Sequence, residues 1–158
     1  SSDVFLLLKV KEAGFSDTEV IGAYIFFNLV FAAASYPLGA LADRLGMRRV
    51  FATGLVLFAV TYAGMAFAGA WWAFLALFGC YGLYSAATDG VAKAWISNIS
   101  DKKDTATAIG TYTAFQSVAT LLASSMAGLI WVWAGPAAVF GLSAAVAAGV
   151  ALYWFRRD

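Results

Sequence analysis

Three stretches of the chain contain no charged residue: residues 20–42, 50–88 and 105–155. One α-helix crosses the hydrocarbon of a bilayer in about 20 residues. The first stretch therefore has room for a single crossing, and each of the others must contain a reversal. Composition points the same way. Of the 158 residues, 63% are hydrophobic and 12% charged, where soluble domains carry about 45–50% and about 25%. Folding always leaves a large exposed area, so a chain this apolar requires lipid as solvent. The runs are rich in alanine and lack the alternation of about ten residues that marks a transmembrane β-strand. The expected fold is an all-α, polytopic membrane helix bundle.

Gly69-Ala70-Trp71-Trp72 supplies one reversal, with paired indoles suited to the membrane interface. Trp131-Val132-Trp133-Ala134-Gly135-Pro136 supplies the other, a helix-stopping glycine followed by a helix-starting proline. Five spans result, at residues 17–41, 49–69, 71–98, 104–130 and 136–155, after an N-terminal stub at 1–13. Ser16-Asp17-Thr18-Glu19 has capping-box spacing and places the start of the first span. The stub, Ser-Ser-Asp followed by Val-Phe-Leu-Leu-Leu, reads as the second half of a helix whose beginning is absent. It has no basic region that would make it a signal peptide.

Arg44, Arg48 and Arg49, then Lys102 and Lys103, then Arg156 and Arg157, all fall on one side of such a bundle. The opposite side carries Lys9 and Lys11, offset by Glu12, Asp17 and Glu19. The positive-inside rule puts the 42–48 loop, the 99–103 loop and the C-terminus in the cytoplasm.

Histidine is absent, which removes the commonest general base and metal ligand. The single cysteine, Cys80, excludes an internal disulfide and reads as a small buried hydrophobe. With a net charge of +1 and no basic stripe interleaved with aromatics, nothing indicates a nucleic-acid partner. No cofactor or metal is expected. An intramembrane enzyme is disfavoured, because no nucleophile–base pair or metal-ligand cluster can be assembled.

The most specific stretch is Gly39-Ala40-Leu41-Ala42-Asp43-Arg44-Leu45-Gly46-Met47-Arg48-Arg49. As chemistry it is a short turn between two membrane helices. Gly39 would allow close helix approach, Gly46 a positive backbone angle, and Asp43 could cap the next helix or pair with an arginine. Its spacing resembles the G-x-x-x-D-R-x-G-R-R-x loop that the major facilitator superfamily repeats after its second and eighth helices, with a departure at Met47. Four further helices and a basic tail match the eighth-helix copy. The Ser-Ser-Asp stub is similar to the middle of a seventh helix in some bacterial members. The resemblance implies that residues 1–158 are a C-terminal transmembrane domain, truncated within its first helix. It would be half of a twelve-helix transporter with substrate near the bilayer midplane between two six-helix halves. It further implies a gating role for Gly39, Asp43, Arg44, Gly46, Arg48 and Arg49, with the aspartate steadying the closed cytoplasmic side against helix ends of the missing N-terminal half. A bacterial cytoplasmic (inner) membrane is the expected location.

Polar residues are unevenly distributed. The spans at 49–69 and 136–155 are almost wholly apolar and suit lipid-facing supports. The other three carry stripes at helical spacing: Tyr24, Asn28 and Ser35; then Tyr81, Ser85, Asp89 and Lys93, with Thr88 beside them; then Thr113, Gln116, Thr120 and Ser124. Serines and threonines can bond the preceding turn's carbonyl, and Ala119, Ala123 and Ala127 can mark close packing. Asn28 and Gln116 ask for several partners in a dry environment. Asp89 and Lys93 are four apart with the acid first, the better order for a helical pair. An ionised group at the bilayer centre costs about 2.5–3.5 kcal/mol on insertion scales and rarely faces lipid. The pair is either structural, with Lys93 snorkelling to the interface, or part of a substrate or proton pathway with Asp3.

The candidate pathway residues are thus Asp89, Lys93, Asp3, Asn28, Gln116, Tyr81 and Ser85. The function implied is secondary active transport of a small molecule or ion, with any proton coupling running through carboxylates. The rivals are a non-transporting membrane scaffold or assembly subunit, and an inactive truncated fragment. Topology is open to a direct test by cysteine accessibility in a Cys80→Ala background. A cysteine at position 70 should label from outside, and labelling there only from the cytoplasm overturns the arrangement.

Overall fold

The computed structural model describes residues 3–156, apart from the Phe155 side chain. The first two residues of the stub and Arg157 of the basic tail lie outside the described residues. The elements are α1 (Asp3–Glu12), α2 (Asp17–Leu45), α3 (Met47–Phe67), α4 (Trp71–Ser85), a π turn (Ala86–Gly90), α5 (Val91–Ile99), α6 (Thr105–Ala134) and α7 (Pro136–Phe155). The fold is an all-α membrane helix bundle. Four helices, α2, α3, α6 and α7, are each long and apolar enough to cross a bilayer. The pieces from Trp71 to Ile99, of 15, 5 and 9 residues, follow one another without an intervening loop and are together long enough to cross as well.

Local chemistry sets the helix ends. Ser16 caps α2 as a capping box: the Glu19 N–H donates to Ser16 Oγ, and the Ser16 N–H donates to Glu19 Oε2 at 2.8 Å. Beside it the Lys11 ammonium pairs with Asp17 and bridges the turn from α1. At its other end α2 runs past residue 41 to Leu45, so Asp43 and Arg44 belong to its last turn. The chain then reverses at Gly46, whose φ of 94° suits a residue without a Cβ. Gly46 itself occupies the cap position of α3 and no side chain caps that helix, which corrects the expectation that Asp43 might. Helix α6 likewise continues through Trp131 and Trp133, and the turn narrows to Gly135 (φ 81°) ahead of Pro136 at the start of α7. Indoles are tolerated in a helix; the positive-φ glycine stops it.

The helix expected at 71–98 is interrupted. The Thr88 hydroxyl donates to the Tyr84 carbonyl at 2.9 Å, the acceptor that an α-turn would offer to the Thr88 N–H. This competition accompanies the widened π turn, a feature often found where helices carry function. Pro37 lies inside α2 and removes one backbone donor, while Ser35 Oγ donates to the Phe31 carbonyl at 2.6 Å just before it.

Helix α4 is the hub. Its glycine face meets α2 so closely that a Cβ at Gly82 would lie 3.0 Å from the Phe27 carbonyl oxygen and 2.9 Å from Val30 Cγ1. Gly54 of α3 meets the π turn in the same way, 2.7 Å from Thr88 Cγ2. Gly39, by contrast, has open space around its Cβ position, so it marks no close approach within this chain. Around this hub sit Leu6, Phe27, Tyr62, Phe74, Phe78 and Phe140 as the principal core. The third and last helices, expected as lipid-facing supports, keep Val56, Val60, Leu142 and Val146 exposed and also pack on each other. Helices α3 and α7 form the most extensive helix pair, and Tyr62 is fully buried against Phe140 with ring centroids 5.4 Å apart. Of the three alanines proposed as packing marks on α6, only Ala127 is buried. Cys80 is partly rather than fully buried.

These contacts predict opposite signs for one kind of substitution. Gly82→Ala places a methyl against backbone that cannot yield and should destabilise the bundle by about 1–3 kcal/mol. Gly149→Ala meets nothing within 4 Å and should be neutral or stabilising by up to about 1 kcal/mol through helix propensity. Denaturant titration in detergent checks both.

Candidate functional site

A cavity of about 380 Å³ opens between α1, α2, α3, α4 with its π turn, and α6. Asp3, Asn28, Tyr81, Ser85, Asp89 and Gln116 all line it. They are the candidates drawn from the sequence except Lys93, which reaches the rim by donating from Nζ to Asp89 Oδ2 at 3.3 Å. Helical spacing explains the convergence on α4: Tyr81 and Ser85 are one turn apart, and the π turn carries Asp89 to the same opening.

Asp3 enters from α1. The Tyr81 hydroxyl donates to its Oδ1 at 2.6 Å across 78 positions of sequence. Helix α1 is held from its other side by Trp131, whose indole N–H donates to Glu12 Oε1 at 3.1 Å and whose ring lies 5.6 Å from that of Phe5. Asn28 commits one N–H to the Tyr24 carbonyl at 2.8 Å. Thr113 and Ser117 on α6 bond back to their own helix, to Ile109 and Thr113 carbonyls at 2.9 Å. Ser124 does not: its buried Oγ has no partner.

Aromatic rings form the rest of the wall, and sequence reading passed over most of them. Phe27, Phe31, Phe51, Tyr84 and Tyr112 line the cavity with Tyr24 and Tyr81. The signal was available as spacing. Tyr24, Phe27 and Phe31 follow the face of Asn28, Tyr84 is three residues beyond Tyr81, and Tyr112 is four before Gln116. A second opening, about 480 Å³ between α3, α4, α6 and α7, is lined by apolar side chains, with Tyr84 and Ser143 as its polar members. The first has the convergent polar groups that a solute site needs.

The residues of the loop motif stand elsewhere, at the turn between α2 and α3. Asp43 and Arg44 are exposed. Arg48 Cζ lies 5.7 Å from the centre of the Trp154 ring, a cation–π contact. That indole also packs on Phe51 and, edge-on, on Trp95. Arg48 therefore ties the turn to α7 within this chain. Met47, the departure from the motif, accepts from Asn98 Nδ2 at 3.8 Å and packs on the cluster of Ala42, Val50, Ala87 and Val91.

Residues 4–158 match the family model of the Major Facilitator Superfamily. The chain belongs to that superfamily. It is also similar to an uncharacterized MFS-type transporter of Methanocaldococcus jannaschii, 32% identical over 111 residues. That match takes in 70% of this chain and 28% of the relative, so the chain spans well under half the length of the curated relative it matches. Family membership, with the apolar helices, makes this an integral membrane protein in contact with the lipid bilayer.

The Tyr81–Asp3 bond should matter to stability. Tyr81→Phe keeps the ring but leaves the carboxylate without that donor, and should lower unfolding free energy by about 1.5–3 kcal/mol, the range for hydrogen bonds to charged groups. Asp3→Asn retains an acceptor and should cost less. Unfolding of the two variants in detergent measures the difference.

Proposed function

We propose that this chain is the C-terminal half of a secondary active transporter in the cytoplasmic membrane, with the cavity at Asp3 and Asp89 forming its share of the solute site. One observation carries the reading. Residues from α1, α2, α4 and α6 of a superfamily member bring two carboxylates, two amides and a serine to one opening, where burying ionisable groups without purpose is expensive. A scaffold or assembly subunit has no use for such an opening. The exposed faces of α2 and α6, with Ile25, Leu29, Phe115 and Leu122 outward, support an N-terminal half as partner and lipid around the remainder. The solute moves by alternating access, the two halves rocking about the site. Cytoplasmic placement of the α2–α3 turn, the α5–α6 loop and the C-terminus rests on their arginines and lysines. In this reading Asp43 and Arg44, exposed at that turn, engage the other half in gating, and proton coupling runs through Asp89 or Asp3.

The Asp89–Lys93 pair separates function from architecture. In the full-length transporter, Asp89→Asn alone leaves Lys93 without its partner and should both destabilise the protein and stop uptake. Adding Lys93→Gln removes the orphaned charge and should restore stability. Uptake should remain at least about tenfold below the parent if Asp89 meets solute or proton, a loss of about 1.4 kcal/mol or more. A double variant that transports at the parental rate makes the pair structural and overturns the assignment.

A further inference from the structure

We infer that the cavity selects a monovalent organic cation, an ammonium carrying apolar substituents; this rests on the cavity being the solute site. Charge is the first ground. Asp3 and Asp89 both line the opening, and the one ammonium near them, Lys93, lies outside the lining and is engaged with Asp89. Among the described residues the neutral Tyr81 hydroxyl is the hydrogen-bond donor to Asp3, and no lysine or arginine pairs with it. Among the described residues, two carboxylates against one ammonium leave a single negative charge on this chain's share of the site. An anion would be repelled by Asp3, and a neutral solute would leave its charge to be met by water or a proton.

The wall is the second ground. Tyr24, Phe31, Tyr84 and Tyr112 line the opening with part of their surface uncovered, while Phe27 and Tyr81 line it from within the packed core. Ring faces are electron-rich, and a positive charge held within about 6 Å of them is attracted without needing hydrogen-bond acceptors. Aromatic cages of this sort recognise quaternary ammonium groups. A hard metal ion asks for six or more oxygens, and among the described residues no three acidic, histidine or cysteine side chains converge. The rings and the unmatched carboxylate therefore fit the same guest, one that is charged at its centre and apolar outside. The volume, about 380 Å³, suits a guest with one benzyl-sized arm within the usual range of small-molecule sites.

Three probes of matched shape decide the matter: benzyltrimethylammonium, its neutral carbon isostere neopentylbenzene, and the anion benzylsulfonate. The full-length transporter, made free of cysteine (Cys80→Ala included), receives Gln116→Cys on the cavity wall, and maleimide labelling of that cysteine is followed with each probe. The cation should slow labelling at concentrations about tenfold below those at which the others act, as a desolvated cation–π and ion contact allows. Introducing Asp3→Asn should erase that margin, and Tyr81→Leu should narrow it, with a monodisperse size-exclusion profile in detergent reporting that each variant still folds. Equal protection by the neutral or anionic probe overturns the cation inference while leaving the solute site in place. Protection by none of the three, with the cysteine still reactive, overturns both. The comparison among probes in the parent stands even where a variant fails to fold.

Discussion

The approach of α2 to α4 across Gly82 is the contact on which the other placements depend. In lipid there is little hydrophobic drive to bring helices together, so association relies on packing that only small residues permit. With no side chain at Gly82, the Phe27 carbonyl and Val30 come against the α4 backbone. That proximity stacks Phe27 on Tyr81 and leaves the Tyr81 hydroxyl directed at α1. Gly54 performs the same service for α3 beneath the π turn. Two absent side chains thus set the spacing of three helices, and the cavity is what remains between them.

The cavity combines demands that usually conflict. Its aromatic wall belongs to the packed core: Phe27 and Tyr81 are buried members of the main hydrophobic cluster, with Tyr84 packed against it. Its carboxylates belong to water or to a guest. The hydrogen bond from Tyr81 reconciles the two, because the ring packs with its neighbours while the hydroxyl answers Asp3. At the far end of the bundle, Arg48 on Trp154 is a similar compromise, a cation kept near the membrane boundary by a ring face.

The helices were legible in the sequence because charge-free length is a direct consequence of hydrocarbon thickness, and the 135–136 turn because glycine and proline have fixed preferences there; the tryptophans beside it proved to be helical. Asp3, Asn28, Tyr81, Ser85, Asp89 and Gln116 could be picked out because polar groups in an apolar run are conspicuous. What stayed hidden was pairwise. The chain has 15 glycines, and nothing local distinguishes Gly54 and Gly82, which let helices touch, from Gly39 and Gly149, which do not. Phe27 and Tyr84 looked like any lipid-facing aromatics until a second helix came beside them. Of the two roles open to Asp43, the cap falls away because α2 continues to Leu45 before Gly46 turns the chain, which the sequence does not say. The π turn was invisible for the same reason: Thr88 is an ordinary helix residue unless its hydroxyl claims the Tyr84 carbonyl.

That π turn stores one residue more than a regular helix would hold in the same rise. Each residue turns an α-helix by about 100°, so sliding the bulge along by a single position would swing one side chain about the axis by roughly that angle while both flanking segments stayed in place. The loop of slack sits at Ala86–Gly90, between the part of the helix held by the core and the part that carries Lys93. Asp89 lies within it. The extra residue therefore resets by roughly 100° the direction in which the part that carries Lys93 leaves the helix, relative to Tyr81 and Ser85 before it.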